Sequence, residues 1–285
     1  MIGLVSLIVL AMWNPPQVAA IIAFLSICAI LVLIVARIVR TGFFRALGIW
    51  LVSQLAGVPI WILCVLVVRP HLFEAFYMPT NSMAPTILGE HLSGVCARCG
   101  SRAYCSPLDP DEMRGPVQLH GICTQEMTSC AMKDASTVVT RGDRVFVNKN
   151  LTPRRWDLVA FRAIHDNSTI YIKRLVGLPG EEIMIHDGAA WANGNKLVPP
   201  VEVSRLHYVD KMQGWGPPLW GSEERPAKLG DDEYFVLGDN SSSSKDSRLW
   251  EEGAEGHPPY ALPGDHIVGV VTHIYWPLSR YRVFR

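Results

Sequence analysis

Between Met1 and Val68 the chain has no acidic residue and only three basic ones, Arg37, Arg40 and Arg45. Long apolar runs so poor in charge exclude disorder as the main state and exclude a wholly soluble chain. Net charge is absent as well, with 26 Lys plus Arg against 26 Asp plus Glu. That balance gives no overall electrostatic reason to expect nucleic acid. No Gly-x-Ser-x-Gly elbow occurs, which removes the α/β-hydrolase way of presenting a serine. The nine histidines are scattered, and none sits in a setting that suggests a partner. No internal repeat is visible.

Two apolar segments dominate the N-terminal part. Val18–Ala36 and Leu47–Val68 carry no charge, and each is long enough to cross hydrocarbon as a helix. Pro59 would kink the second, which neighbouring helices tolerate. Ile2–Trp13 is apolar but short for a span, and Asn14-Pro15-Pro16 separates it from the first long segment. It fits an interfacial segment, the stub of a third span, or part of a longer first helix. A cleavable leader fits less well, because no charged region precedes it. The connection between the two long segments holds all three arginines, so the positive-inside rule makes it cytoplasmic. Residues 1–69 then form a membrane anchor with spans near 18–36 and 47–68. Residues 70–285 form one extracytoplasmic domain.

That domain has the marks of a mainly-β fold. Short runs at 73–78, 144–147, 157–161, 169–172, 182–185, 233–237 and 266–271 are rich in β-branched and aromatic residues. Gly, Asn, Asp or Pro separates them, with few helix-period stretches between. Residues 89–137 are rich in Gly, Ser, Cys and Pro and read as a loop-rich insertion. Residues 194–230, punctuated by Pro199-Pro200 and Pro217-Pro218, read as a long surface excursion.

Three segments could carry chemistry. In Met78-Pro79-Thr80-Asn81-Ser82-Met83-Ala84-Pro85-Thr86 two prolines restrict the backbone and would hold Ser82 in a fixed turn. A serine alone is commonly a satisfied turn hydroxyl and needs a base to act. In Tyr171-Ile172-Lys173-Arg174-Leu175-Val176-Gly177 an ammonium sits in an apolar strand pattern. Strand geometry sends Lys173 and Arg174 to opposite faces. An inward Lys173 would lose pKa by desolvation and become a usable base, whereas an outward one would be an ordinary solvated lysine. In Gly238-Asp239-Asn240-Ser241-Ser242-Ser243-Ser244-Lys245-Asp246-Ser247-Arg248 the charges could fix a turn through charge-assisted bonds.

Together these segments resemble the type I signal peptidases. Thr80–Thr86 is similar to that family's nucleophile box, Arg141–Lys149 to its second, Tyr171–Glu181 to its lysine box and Gly238–Arg248 to its last. The resemblance extends over most of residues 74–271, the insertions excepted. It implies two N-terminal transmembrane helices followed by a mainly-β catalytic domain, and a Ser/Lys dyad. Ser82 would be the nucleophile and Lys173 its neutral general base. The Ser82 amide and the Thr80 hydroxyl would form the oxyanion hole. Thr80 stands where many members have Ser, and Asn81 where Gly is common. Ser244 would hydrogen-bond the lysine amine, with Asp239, Asp246 and Arg248 as supports. Phe76, Met78 and Ile172 would wall shallow apolar pockets for small residues such as Ala. The implied enzyme is an endopeptidase of the cytoplasmic membrane that removes signal peptides from exported preproteins, close to the export machinery. It needs no catalytic cofactor and no nucleic acid. The alternatives are a processing peptidase dedicated to pili or conjugation, and a non-catalytic membrane-anchored interaction protein on the same scaffold.

Seven cysteines remain. Cys28 and Cys64 sit in the apolar segments and read as small apolar residues. Cys96-Ala97-Arg98-Cys99-Gly100 reads as a zinc knuckle, with Cys123 and Cys130 as the other ligands of a zinc-ribbon-like insertion. Disulfides are the competing reading on an oxidising side of the membrane, and would leave one of the five, including Cys105, unpaired. By sequence distance the insertion stands apart from the catalytic positions, so loss of the metal would leave short peptides still cut.

Overall fold

The computed structural model describes residues 71–107, 119–166, 168–211 and 217–285, with a few positions before them, notably the helical turns over 44–52. Among the described residues no helix is long and apolar enough to cross a membrane. The expected spans near 18–36 and 47–68, and the Ile2–Trp13 run, lie largely outside the described residues. The chain divides into two compact units, Met1–Arg69 and Pro70–Arg285.

Among its described residues the second unit has sixteen strands. In chain order they are β1 (Phe73–Tyr77), β2 (Leu92–Cys96), β3 (Arg102–Cys105), β4 (His120–Cys123), β5 (Ser129–Lys133), β6 (Arg144–Asn148), β7 (Leu158–Arg162) and β8 (Ile170–Gly177). There follow β9 (Glu182–His186), β10 (Ala189–Ala192), β11 (Asn195–Lys196), β12 (Ala227–Lys228), β13 (Glu233–Leu237), β14 (Leu262–Pro263), β15 (Ile267–Trp276) and β16 (Arg282–Val283). The main sheet has the order β1-β6-β15-β7-β8-β13-β14, with β16 against β15, and all its pairs are antiparallel. A second sheet, β11-β10-β9-β12, and a closed four-stranded barrel, β2-β3-β4-β5, complete the unit.

Every strand expected from alternation forms. An interior strand of the sheet is β8, between β7 and β13, and its residues from Ile172 to Gly177 are all buried. A strand covered on both faces loses the polar-out alternation and reads as a continuous apolar run. On one face Ile172 packs with Val145, Val147, Leu158 and Ala160. On the other Leu175 packs with Val159, Phe161, Val236 and Trp250. Two cationic residues are inserted into this strand, so each must be satisfied on its own face.

Two expectations are corrected. The insertion is folded rather than loop-rich: Cys96, Cys105, Cys123 and Cys130 pack with Ala103 and Met132 inside the barrel. Its inward positions carry thiols and small side chains, so the usual apolar alternation is missing from the sequence. Residues 194–230 are not a surface excursion throughout, since Val203, Leu206 and Tyr208 are buried against Ile183, Ile185 and Phe235.

The neighbour of Lys173 illustrates the cost of internal charge. Arg174 donates from Nε and Nη2 to Asp239 at 2.7 and 2.6 Å, and from Nη1 to the Trp156 carbonyl at 2.7 Å. Asp239 is fully buried and also accepts from the Thr86 hydroxyl. Breaking such a pair by removing one partner strands the other charge, at about 3–5 kcal/mol. Arg174→Met should therefore lower the stability of the full chain by that amount in urea unfolding. Arg174→Met combined with Asp239→Leu should recover most of it.

Candidate active site

Ser82 lies in the turn that follows β1, in a segment held from several sides. Leu88 donates its amide to Asp143 Oδ2, and Asp143 is in turn gripped by Arg280 Nε at 2.8 Å. The Asn81 side chain donates to the Glu90 carbonyl at 2.6 Å and accepts from the Gly89 amide at 2.9 Å. The Asn81 and Ser82 carbonyls accept from the Asn240 side-chain amide and backbone amide. Asn81 is therefore a buried tie inside the turn. Gly238 lets this approach happen: a Cβ there would sit 2.0 Å from Ser244 Oγ and 2.7 Å from the Ser82 carbonyl oxygen.

Lys173 reaches this turn from the interior strand β8. Its Nζ is 2.7 Å from Ser82 Oγ, across 91 residues of sequence. The side chain is buried. Desolvation pulls its pKa down to about 8, against the opposing pull of Asp246 and Asp239; Arg248 adds to the lowering. Asp246 is itself neutralised, accepting from Arg248 Nε and Nη2 at 2.9 and 2.8 Å and from the Gly238 amide at 2.8 Å. Arg248 also donates to Ser241 and to the Val209 carbonyl. Asp239, Asp246 and Arg248 thus brace the segment after β13 that closes over Ser82.

Ser82 and Lys173 open onto a cavity of about 330 Å³. Thr80 is exposed at its rim. Its apolar walls are Ile164, Tyr171 and Trp250 rather than Phe76, Met78 and Ile172. Met78 and Ile172 are buried in the cluster on the opposite face of β8, and Phe76 packs against that cluster. Strand parity is the reason: Tyr171 shares a face with Lys173, and Ile172 does not. That signal was in the sequence two positions before the lysine. Ser106, His165, Ser243 and Lys245 also line the cavity, and no local pattern pointed to them.

Ser244 departs from expectation in its contacts. Its Oγ is buried and makes no hydrogen bond among the described residues. The short contact of the lysine amine goes to Ser82.

The cysteines form a second cluster. All five described cysteines are free thiols. The sulfurs of Cys96, Cys99 and Cys123 lie within 4.8 Å of one another, and Cys130 is buried in the same cluster as Cys96 and Cys123. Thiolates around zinc at ~2.3 Å stand about 3.8 Å apart, so the three clustered sulfurs fit that ion, with Cys130 beside them as a fourth donor. The backbone shows a repetition hidden in the sequence. Gly100 donates its amide to the Cys96 carbonyl, and Met127 to the Cys123 carbonyl. Cys96 donates to the Ser101 carbonyl, and Cys123 to Thr128. Both Gly100 and Met127 have positive φ, 73° and 52°. The sulfur of Cys123 accepts from the Glu126 amide at 3.5 Å and lies 3.4 Å from the Cys99 sulfur. Two equivalent knuckles therefore face each other. The second has Glu126 where the first has Cys99, and takes its second thiol from Cys130.

Comparison with known proteins bears on this geometry. Residues 122–276 match the family described as "Signal peptidase, peptidase S26". The chain belongs to this family. It is 26% identical over 213 residues to a "Probable signal peptidase I-2" of a Synechocystis species, covering 75% of this chain and 67% of the relative. It is 32% identical over 146 residues to "Signal peptidase I T" of Bacillus subtilis, covering 50% of this chain and 68% of the relative. Against the "Signal peptidase I" of Bacillus amyloliquefaciens the identity is 36% over 146 residues, with the same two coverages. The activity that goes with this signal peptidase membership is that of a serine peptidase, and the non-catalytic interaction protein is not favoured. The matched stretch contains Lys173 and the segment 238–248, whereas the turn bearing Ser82 precedes it.

The lowered lysine pKa has a thermodynamic consequence. The folded pKa, about 8, lies below the unfolded value near 10.5. Between these two values the unfolded chain binds more protons, so stability rises with pH there. Below pH 8 the buried ammonium costs on the order of 3 kcal/mol. Lys173→Met should raise the urea midpoint at pH 7, and the gain should shrink to near zero above pH 10.5.

Proposed function

We propose that the unit Pro70–Arg285 cleaves signal peptides from exported preproteins with Ser82 as nucleophile and Lys173 as general base. The observation that carries these roles is the 2.7 Å contact between Lys173 Nζ and Ser82 Oγ inside a buried site. A lysine with a pKa of about 8 is neutral in about a tenth of molecules at pH 7, against less than a thousandth for a solvated lysine. The neutral amine takes the Ser82 proton as Oγ attacks the scissile carbonyl. The oxyanion of the tetrahedral intermediate accepts from the Ser82 amide and the Thr80 hydroxyl. Lys173, now an ammonium, protonates the leaving amine. The amine then activates a water that hydrolyses the acyl-enzyme. Desolvation by Ile164, Tyr171 and Trp250 keeps the amine poised and leaves room for small side chains of an extended peptide.

The substrate's apolar segment stays in the bilayer, and residues 1–69 place the peptidase beside it. Spans near 18–36 and 47–68, with Arg37, Arg40 and Arg45 on the cytoplasmic side, put Pro70–Arg285 across the membrane. The composition of these residues supports this arrangement. Cys96, Cys99, Cys123 and Cys130 hold a structural zinc ion, which cross-links the ends of the barrel strands and touches none of the reacting atoms.

Ser82→Ala and Lys173→Ala should each abolish processing of a preprotein in detergent micelles while leaving membrane insertion intact. Lys173→Arg should not rescue, because a guanidinium stays charged. Thr80→Val should lower kcat about a hundredfold, the usual loss for one oxyanion donor, and Thr80→Ser should remain active. Turnover by purified Ser82→Ala protein would overturn the assignment.

A further inference from the structure

The barrel of β2–β5 is not remote from Ser82. It leaves and rejoins the rest of the unit at the paired residues His91 and Thr140. Tyr104 of β3 and Ile122 of β4 are buried together with Ala84 and Leu88, which belong to the nucleophile turn and the residues just after it. The Tyr104 ring meets the His91 ring edge-on at 5.0 Å. Ser106, directly after β3, accepts a hydrogen bond from Asn81 Nδ2 at 3.2 Å and lines the cavity beside Ser82. The residue before the nucleophile and the one two positions after it are therefore in contact with the barrel.

We propose that the cysteine barrel is a metal-dependent clamp on the nucleophile turn, so that occupancy of the four-thiol site sets the rate at which Ser82 is acylated. The inference rests on the reading of those thiols as a zinc site. The barrel's own buried core is small and half of it is ligands: Cys96, Cys123 and Cys130, beside Ala103, Cys105 and Met132, while the fourth ligand, Cys99, is exposed. So small a core, of strands only four or five residues long, does not hold itself closed without a cross-link. When the ion leaves, the two knuckles separate, and Tyr104 and Ile122 withdraw from Ala84 and Leu88. The turn then loses one wall, the Asn81–Ser106 bond is released, and water gains access to Lys173. The expectation that metal loss would spare peptide cleavage is thereby replaced by its opposite.

The test uses the full chain in detergent micelles, with zinc measured by metal analysis. Three quantities are followed before and after chelation: peptide turnover, the burst of Ser82 acylation and the pH midpoint of kcat/KM. Purified protein should carry one zinc per chain. Removal should cut turnover at least tenfold and move the pH midpoint upward from about 8 as Lys173 becomes hydrated, and added zinc should restore both. Mere loss of folded molecules would reduce the burst amplitude without moving the midpoint, and that result would overturn the clamp. Independently, Ile122→Ala and Tyr104→Ala should lower turnover several-fold and raise the midpoint with zinc content unchanged, while Tyr104→Phe should behave as the parent. Stoichiometric zinc release with turnover and midpoint unaltered would overturn the clamp and leave the metal site standing. Protein that neither contains nor takes up zinc would overturn the metal site and the metal dependence with it. Parental kinetics in both alanine variants would overturn the contact as a positioning device.

Discussion

The structure depends on placing a lysine amine, without its solvation shell, against a serine hydroxyl. Lys173 projects from an interior strand of the main sheet, where both faces are covered. Burial disfavours its charged form, and the two nearby carboxylates, Asp239 and Asp246, would undo that effect if they were free. Each is instead matched to an arginine: Asp239 to Arg174 and Asp246 to Arg248. These internal ion pairs contribute little net stability once their own desolvation is counted. Their effect is to leave the lysine in a nearly neutral, dry surrounding while fixing the segments on either side of it.

Geometry at the serine obeys the same economy of space. The segment 78–90 is fastened by Asp143, by Asp239 through Thr86, and by its own Asn81. Glycine at 238 admits the chain of the last segment to within contact of the Ser82 carbonyl. On the remaining side stands the barrel, through Tyr104, Ile122 and Ser106. Elements far apart in sequence converge on one turn, and each supplies a contact that a free loop would lack.

Much of this was legible in the sequence. Alternation located the strands of the main sheet, and the spacing of Ser82, Lys173 and the 238–248 segment carried the family resemblance. Adjacent cations at 173 and 174 already implied two differently satisfied faces. The pocket walls were misjudged because Met78 and Ile172 look like apolar pocket residues by composition, and only parity excludes Ile172. The insertion looked irregular because its core is made of thiols and small residues, which carry no hydrophobic period. Its second knuckle was hidden because a glutamate occupies the place of the second cysteine. Its contact with the nucleophile turn is tertiary, made by Tyr104 and Ile122, and no local pattern announces such a contact.

The central claim is that the Lys173 amine is neutral when Ser82 needs a base. Its most direct test is an NMR titration of Lys173 Nζ, assigned by comparison with Lys173→Met, in the full chain with Ser82 intact. A midpoint near 8 is expected. A midpoint near 10.5, the ordinary value for a solvated lysine, would contradict the account.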